Sequence, residues 1–387
     1  MIYKTTSPLS PEITILIDGV SVNYQAIYGA ELILEENKHD FLVLNMTGVP
    51  PERLLEYIDA PIYFVLNSGT GRVNTFTGYV SNIEPVNSSS GGFVNGSPFQ
   101  EVRVYCIGAS YLMKGTKSAR WSPPTLKHVV QTLAKRYELS ADIPVDSYSL
   151  NDISQIAESD WAFLVKVVDR YGYKVTIHGT HIHVWDIYGA TGRVTSYHDL
   201  VAPSVFAGAQ PGTILSFTGT FGSLSASGGA SATSTSFLDN QGRTLHVSSK
   251  DLRNDSYLGT KRVSDFEDFI SVSASSFQEA QREVARVEKD DMPFDADVVV
   301  AAGGGILPGG IVNIMNYGTE FDGRWYVKYV RHEVHQNHYI THLRLCKDGV
   351  YEANLNRATV SRLTIAPEPK VIERQWVATR RRITEYV

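Results

Sequence analysis

The chain has 387 residues, of which 43% are hydrophobic and 20% are charged, and its formal net charge is −6 at pH 7. This is the composition of a globular protein with enough chain for two or three domains, and its acidic balance argues against nucleic-acid binding through a basic surface. No apolar run is long enough to span a membrane, and the N-terminus lacks the unbroken apolar stretch of a signal peptide, so we expect synthesis in the cytoplasm.

Residue usage favours β-structure. The 31 Gly and 16 Pro, together with many Thr, Val and Tyr, favour strands and turns over helices, so we predict a mainly β fold. Cys106 and Cys346 lie in strand-like runs and are predicted to be small buried thiols. Two such distant cysteines encode neither a disulfide framework nor a zinc ribbon.

Short strand-like runs, separated by Gly, Asn, Ser and Pro, fill the first part of the chain. Their regular spacing predicts an antiparallel barrel or sandwich, in which residues 67–71 form a hairpin turn. Residues 87–98 are too poor in bulky side chains to order themselves, so we predict a long mobile hairpin tip there. The predicted strands are residues 12–18, 41–46, 61–66, 72–80 and 101–113.

A first amphipathic helix is predicted over residues 124–137. Ser122 followed by Pro123 is a start signal, because proline is tolerated in the first turn, where its missing N–H leaves no hydrogen bond unmade. Apolar residues at helical spacing form one face, which consists of Leu126, Val129, Val130, Leu133, Ala134 and Tyr137.

The segment 158–186 predicts a helix packed on a hairpin. Ser159 can cap the helix, Asp160 suits the positive end of its dipole, and Gly172 can supply the positive φ that ends it. Apolar and polar residues then alternate on both sides of a turn at residues 178–180. The helical stripe consists of Trp161, Leu164, Val165 and Val168, and the hairpin stripe of Tyr173, Val175, Ile177, Ile182 and Val184.

Strand signals resume from Tyr188 onward. Residues 222–236 consist almost wholly of Gly, Ser, Ala and Thr, and we predict a flexible loop or linker there. A third helix is predicted over residues 275–289, in which Ser276 and Glu279 have the spacing of a capping box. Its inward face would consist of Phe277, Ala280, Val284 and Val287.

Two stretches of the chain resemble phage tail hub proteins. Residues 158–186 share an order of residues with that family. The hairpin is preceded by an acidic residue, Ser-Asp, an aromatic residue, Phe-Leu, a basic residue and Tyr-Gly-Tyr. The family includes the late-control D hubs of contractile phages and the N-terminal hub part of VgrG-type secretion spikes. The second stretch has a helix, a Val-rich strand, a tight turn and a hairpin in the family's order, and its matching residues are Leu307, Pro308, Gly309, Tyr326, Val327, His332, Tyr339, Thr341, Leu343 and Leu345.

The resemblance covers most of residues 125–347, whereas residues 1–115 agree with it only in class. It implies a mainly β fold with an α+β insertion: two antiparallel β-barrel domains like the tail-tube subunit, and a small α/β module of two helices and a hairpin. In an open alternative, strands after Tyr188 complete the first barrel. The expected division is 1–117 for the first barrel, 118–188 for the module, 189–349 for the second barrel with helix 276–289 and flexible loop 222–236, and 350–387 for a C-terminal extension.

The function implied by the resemblance is structural. A homotrimer, with two barrels per chain, would form a pseudo-sixfold ring that joins the tail tube or distal tail proteins to a central spike. DNA would pass through the channel without specific binding, past the acidic first 60 residues, and the location would be the tail baseplate or tail tip of the virion, after synthesis in the host cytoplasm. The alternatives are a carbohydrate-binding or cell-wall-cleaving tail protein, and a distal tail or receptor-binding adaptor.

Two groups of histidines suggest metal ligands. The first lies in a run in which a hairpin folds about residues 336–338, and if that hairpin is centred on Asn337, His332 lies opposite His342 and the pair could share an ion. The sequence is strand-like, so it lacks the helical spacing of a zinc protease. The alternative is a set of surface imidazoles, namely His332, Glu333, His335, His338 and His342.

The second group borders the earlier hairpin. His181 and His183 share a strand face near His178, but no acidic or thiol ligand lies nearby in sequence. Residues 303–305 are all glycine but lack the Lys-Ser/Thr of a phosphate loop, and no nucleophile elbow is present. We therefore predict no catalytic residue, no cofactor and no metal site, and a protein that is not an enzyme.

The C-terminal tail offers the one candidate site for partner docking. Trp376 can serve as an anchor on a neighbouring subunit or on the spike, while Arg380, Arg381 and Arg382 pair with acidic groups. The alternative is a solvated basic tail.

Overall fold

The computed structural model describes residues 11–22, 26–49, 54–68, 72–87, 93–94, 97–98, 100–122, 125–144, 153–187, 197–203, 210–221, 232–238, 244–248, 267–269, 277–290, 292, 294–318, 321–335 and 338–347. Strands dominate among them, so the mainly β class is confirmed.

The N-terminal strands are antiparallel and alternate buried with exposed residues. Each predicted strand is present, although the one predicted over residues 101–113 ends at Gly108, and the strands on either side of residues 67–71 pair with each other. Within the predicted hairpin tip 87–98, the described residues 93–94 and 97–98 pair as a short antiparallel ladder. A 3-10 helix, Ala109–Lys114, follows the last of these strands. The strands are β1 (Glu12–Ile17), β2 (Val20–Ser21), β3 (Ile27–Glu35), β4 (Phe41–Thr47), β5 (Pro61–Asn67), β6 (Val73–Asn87), β7 (Phe93–Val94), β8 (Ser97–Pro98) and β9 (Gln100–Gly108).

The middle of the chain forms the α/β module, which is built from two helices and five short strands. The elements are β10 (Thr116–Trp121), α1 (Leu126–Arg136), β11 (Ser140–Asp142), β12 (Ile153–Ser159), α2 (Asp160–Arg170), β13 (Lys174–His178) and β14 (His181–Trp185). Strand β11 pairs in parallel with β14, and β13 pairs with β14 as the predicted hairpin.

The C-terminal part returns to strands around one helix. Its elements are β15 (Tyr197–Val201), β16 (Ile214–Phe221), β17 (Ala232–Leu238), β18 (Thr244–Ser248), β19 (Glu267–Phe269), α3 (Phe277–Asp290), β20 (Phe294–Ala301), β21 (Ile311–Met315), β22 (Gly323–His335) and β23 (His338–Lys347).

One sheet of 13 strands spans both ends of the chain. Its main path runs β16-β20-β23-β22-β3-β4-β9-β6-β5-β1-β2. Off this path, β21 pairs with β22, and β15 pairs with β21. Strand β22 makes this possible because it is 13 residues long: its beginning pairs with β21, its end pairs with β3, and β23 lies along its other side. The described pairings thus form an open path and do not close two separate barrels.

The largest hydrophobic core of the described residues packs against this sheet. It contains residues from the N-terminal strands, such as Leu32 and Phe64, and from the C-terminal strands, such as Trp325 and Leu343. Each of these side chains is almost fully buried, and burying one contributes about 1.5–3 kcal/mol. The two halves of the sheet are therefore coupled by packing as well as by hydrogen bonds.

The module has its own core and clear helix boundaries. Ser159 accepts a hydrogen bond from the amide of Ala162 at 3.1 Å, and Gly172 has φ +74°, so both predicted ends of α2 are confirmed. The start predicted for α1 is wrong. Thr125 caps that helix by accepting from the amide of His128 at 3.2 Å, because its short hydroxyl side chain immediately precedes the first helical residue.

Two predictions for the C-terminal part are also wrong. Phe277 lies at the start of α3 with 43% of its surface exposed, whereas Ala280 and Val284 are buried as predicted. In the predicted flexible loop 222–236, residues 232–236 instead belong to β17, where β18 and β19 supply backbone partners, and residues 222–231 lie outside the described part of the chain. None of the helices described combines the length and apolar character that crossing a membrane requires.

Candidate functional site

A buried polar cluster joins the two halves of the sheet beneath the glycine-rich loop 303–305. The side chain of Asn74, on β6, donates from Nδ2 to the hydroxyl of Tyr339 at 3.0 Å and accepts at Oδ1 from the amide of Gly305 at 2.8 Å. The same hydroxyl lies 2.8 Å from Nδ1 of His332. The loop is therefore part of the junction between the halves, and the amides of Gly303 and Gly305 donate to side chains.

His332 is the titratable centre of this junction. It is fully buried, and burial lowers the pKa of His332 to about 3, so its imidazole is neutral at pH 7. Nearby, Arg72 contacts Nδ1 of His198, whose Nε2 lies 3.1 Å from the carbonyl oxygen of Gly305. Burial, followed by the charge of Arg72, lowers the pKa of His198 to about 4. Both imidazoles serve as neutral hydrogen-bonding groups.

The module is attached to the sheet through a buried indole. Trp185, at the end of β14, donates from Nε1 to the hydroxyl of Tyr326 at 3.0 Å, and that hydroxyl donates to Oε2 of Glu36 at 2.5 Å. Gly309 has φ +80°, and a Cβ there would lie 2.6 Å from Cε2 of Trp185. The predicted Pro308-Gly309 turn therefore has a second role, because it lets the backbone approach the indole.

The turn between β3 and β4 makes a second attachment. Asn37 donates its amide to the carbonyl of Val175 at 2.8 Å and accepts at Oδ1 from the amide of Val175 at 3.0 Å. Its neighbour Asp40 is 3% exposed and lies 3.6 Å from Nδ1 of His178. Burial raises the pKa of Asp40, although His178 opposes this.

Within the module, Asp160 collects four hydrogen bonds. Its side chain is fully buried and accepts at Oδ2 from Nζ of Lys117 at 2.8 Å, from Nη1 of Arg136 at 2.7 Å and from the hydroxyl of Tyr137 at 2.5 Å. At Oδ1 it accepts from Nε2 of Gln155 at 2.8 Å. Burial alone would raise the pKa of Asp160, but these hydrogen bonds outweigh it and hold that pKa well below its usual range.

The predicted opposition of His332 and His342 is wrong. His335 pairs with His338, so His332 faces Thr341, and His342 faces Arg331. His332 points into the core, while Glu333 on the other face accepts from Arg331, His335 and His342 at 2.7, 2.9 and 3.2 Å. These half-buried groups form a hydrogen-bonded cluster on the hairpin.

The second histidine pair has an acidic neighbour that the sequence interpretation missed. Asp142, on β11, pairs with His183, and its Oδ2 lies 2.8 Å from Nε2 of His181 and 3.9 Å from Nδ1 of His183. Among the described residues, this is the one set of three potential metal ligands whose atoms converge within 4.8 Å. The signal available in sequence was the alternation Ser140-Ala141-Asp142, which suits a strand.

The four residues predicted to dock a partner, Trp376, Arg380, Arg381 and Arg382, lie outside the described part of the chain. Both cysteines are buried free thiols, as predicted. Burial raises the pKa of Cys106 and of Cys346, which keeps both thiols protonated and unreactive.

No family model and no curated protein sequence matches the chain. Solved structures do match. The tail protein from Neisseria meningitidis MC58 aligns with a TM-score of 0.62 at 12% identity, over 88% of this chain and 98% of that one. The 43 kDa tail protein of prophage MuSo2 from Shewanella oneidensis gives 0.59 at 12% identity, over 88% and 99%.

A third match is a component of the type VI secretion system of E. coli, described as structurally similar to the bacteriophage T4 tail proteins gp27 and gp5. It gives a TM-score of 0.55 at 11% identity, over 88% of this chain and 77% of that one. The resemblance to tail hub proteins is thus confirmed at the level of the fold. The chain has the fold shared by these phage tail proteins and the type VI secretion component.

Proposed function

We propose that this protein is a structural hub of a phage tail, or of a related contractile injection system, located in the tail baseplate or tail tip. The observation that carries the proposal is the extent of the match with the meningococcal tail protein, which spans 88% of this chain and 98% of that one. The likeness to a secretion component described as similar to gp27 and gp5 supports the hub in particular.

The interior of the protein supports a mechanical role. The cluster of Asn74, His332 and Tyr339 ties the halves of the sheet together, and Trp185 with Tyr326 ties the module to it. Buried hydrogen bonds between elements that are distant in sequence favour one rigid arrangement. A hub needs such rigidity, because it must hold its neighbours in a fixed geometry while the tail transmits force.

We propose that the two halves of the sheet are the two tube-like units, drawn from residues 1–117 and 189–349, and that three copies form a pseudo-sixfold ring. The main path of the sheet ends at β16 on one side and at β2 on the other. Leu215 on β16 is 48% exposed and Val20 on β2 is 58% exposed. Edge strands invite pairing, and a head-to-tail contact between two different edges can close a ring.

The ring would join the tail tube or distal tail proteins on one side to a central spike on the other. Its channel would let DNA pass without specific binding, which the net charge of −6 favours because acidic walls repel phosphates. The C-terminal extension 350–387, with Trp376 and the three arginines, is proposed as an arm that docks on a neighbouring subunit or on the spike.

The mass of the purified chain in solution tests the ring. Light scattering over a concentration series should give three times the 42.8 kDa of one chain, and Leu215→Glu should lower that mass. The matched control is Ile156→Glu, a change at an apolar residue of the module that is 74% exposed, and it should leave the mass unchanged. A monomer at every concentration would contradict the ring.

Assays on the same purified chain distinguish the hub from the two alternative functions. A ring of six copies would favour the distal tail or receptor-binding adaptor. Binding or cleavage of purified cell-wall glycans by a monomer would favour the carbohydrate-binding or cell-wall-cleaving protein. A trimer that binds neither glycans nor duplex DNA would support the hub.

A further inference from the structure

We propose that Asp142, His181 and His183 form a site for a divalent transition-metal ion, with Zn²⁺ the best fit. The three residues come together because β11 pairs in parallel with β14, in the register that sets Asp142 beside His183 and Ser140 beside His181. Alternate residues of a strand share a face, so His181 and His183 point to the same side. Asp142 reaches that side from the neighbouring strand.

The distances suit a single small ion. Oδ2 of Asp142 lies 2.8 Å from Nε2 of His181 and 3.9 Å from Nδ1 of His183, and one ligand atom from each of the three residues lies within 4.8 Å of the others. Zinc binds imidazole nitrogen and carboxylate oxygen at about 2.0–2.2 Å, which places tetrahedral ligand atoms about 3.3–3.6 Å apart. Shifts of less than about 1 Å would bring this set to that spacing.

The contacts of His181 leave one ring nitrogen for a ligand. Its Nδ1 lies 2.5 Å from Oγ of Ser140, whose hydroxyl donates to the carbonyl of Thr180 at 3.4 Å. With the hydroxyl in that orientation, Ser140 can accept from Nδ1–H, and this tautomer places the lone pair of Nε2 towards Asp142. Nε2 is shielded from solvent, and its 2.8 Å contact with the carboxylate lacks the geometry of a hydrogen bond.

This arrangement is the usual one for a metal-bound imidazole, in which the second nitrogen is fixed by a hydrogen-bond acceptor while the first binds the ion. Two imidazoles and a carboxylate are ligands that Zn²⁺ accepts, and three protein ligands leave a fourth position open. The side chain of Asp142 is 62% exposed, so that position faces solvent or a neighbouring protein. The ion would fasten the three-residue strand β11 to the hairpin.

Metal titration of the full chain tests the site. After dialysis against a chelator, one equivalent of Co²⁺ should give the visible absorption of a tetrahedral site, and Zn²⁺ should displace it with a stoichiometry of one per chain. Asp142→Asn and His183→Gln should each weaken Zn²⁺ binding at least tenfold in calorimetry. Because Asp142 is exposed, the Asn variant should keep the metal-free fold, which circular dichroism checks.

Matched controls change the same residue types elsewhere. His246→Gln alters an exposed histidine on β18, and Asp297→Asn alters a carboxylate on β20 whose side chain is 75% exposed. Both controls should bind Zn²⁺ as the unchanged chain does. The proposal is overturned if the unchanged chain binds no Zn²⁺ or Co²⁺, or if either Asp142→Asn or His183→Gln retains full affinity, since the ion would then be held elsewhere.

Discussion

Removal of the Asp160 carboxylate should destabilise the α/β module more than any surface change in it. In Asp160→Ala, the buried amide of Gln155 loses an acceptor, and Lys117 and Arg136 lose their shared anion. Breaking a buried ion pair from one side costs about 3–5 kcal/mol. Lys117 and Arg136 are 41% and 35% exposed, so water can solvate both after truncation, and we expect the lower end, about 3 kcal/mol.

Urea unfolding followed by tryptophan fluorescence measures this loss, because Trp121 and Trp161 lie in the module core. The matched control is Glu158→Ala, which removes a carboxylate two positions away that pairs with Lys166 at the surface. The control should change the free energy of unfolding by less than about 1 kcal/mol. If Asp160→Ala costs no more than Glu158→Ala, the hydrogen bonds described for Asp160 do not form in solution.

Three further predictions concern the sheet and its attachment to the module. Gly309→Ala should lower the free energy of unfolding by about 2–4 kcal/mol, because it combines a strained positive φ with a clash against the indole. The control Gly48→Ala has φ +71° but no atom near its Cβ, and it should lower that free energy by only about 1 kcal/mol. As pH falls below about 6.5 the unfolded chain takes up a proton at His332, whereas the folded chain does not until about pH 3. The free energy of unfolding should therefore fall by up to about 1.4 kcal/mol for each unit by which pH is lowered between these values. Denaturant unfolding of His332→Gln should lack this contribution, and a pH dependence equal to that of the unchanged chain would contradict it. Tyr339→Phe should cost about 1–2 kcal/mol in the same assay, because it removes a buried hydroxyl that contacts two side chains, and the exposed hydroxyl lost in Tyr105→Phe should cost almost nothing.

Local features of the fold were predictable from the sequence. The cap at Ser159, the glycine that ends α2 and the hairpin after it depend on residues only a few positions apart, and all three are confirmed. The start of α1 was missed because Ser122-Pro123 and Thr125 are both acceptable start signals, and composition alone does not rank them.

Features that depend on distant pairing were not predictable. Asp142 meets His181 only because β11 joins a strand some 40 residues later, and no periodicity encodes that partner. Asp160 was understood only as a residue that suits the helix dipole, since Lys117 and Arg136 come from other elements. The predicted register of the last hairpin was wrong because it placed the centre at Asn337. The pairing of His335 with His338 moves that centre by half a residue, which shifts every cross-strand partner by one.

The pairing of β22 with β3 has a consequence for the order of events on the ribosome. Leu32 and His332 are partners in this ladder, so the second strand is made about 300 residues after the first, which takes about 15–60 s at the usual rates of synthesis. Among the described strands, β3 pairs only with β4 and β22, so one edge of it has no partner for that interval. Until β22 is synthesised, the nascent chain therefore exposes an unpaired strand edge next to an incomplete hydrophobic core. We expect the nascent chain to need protection from aggregation until its last quarter emerges.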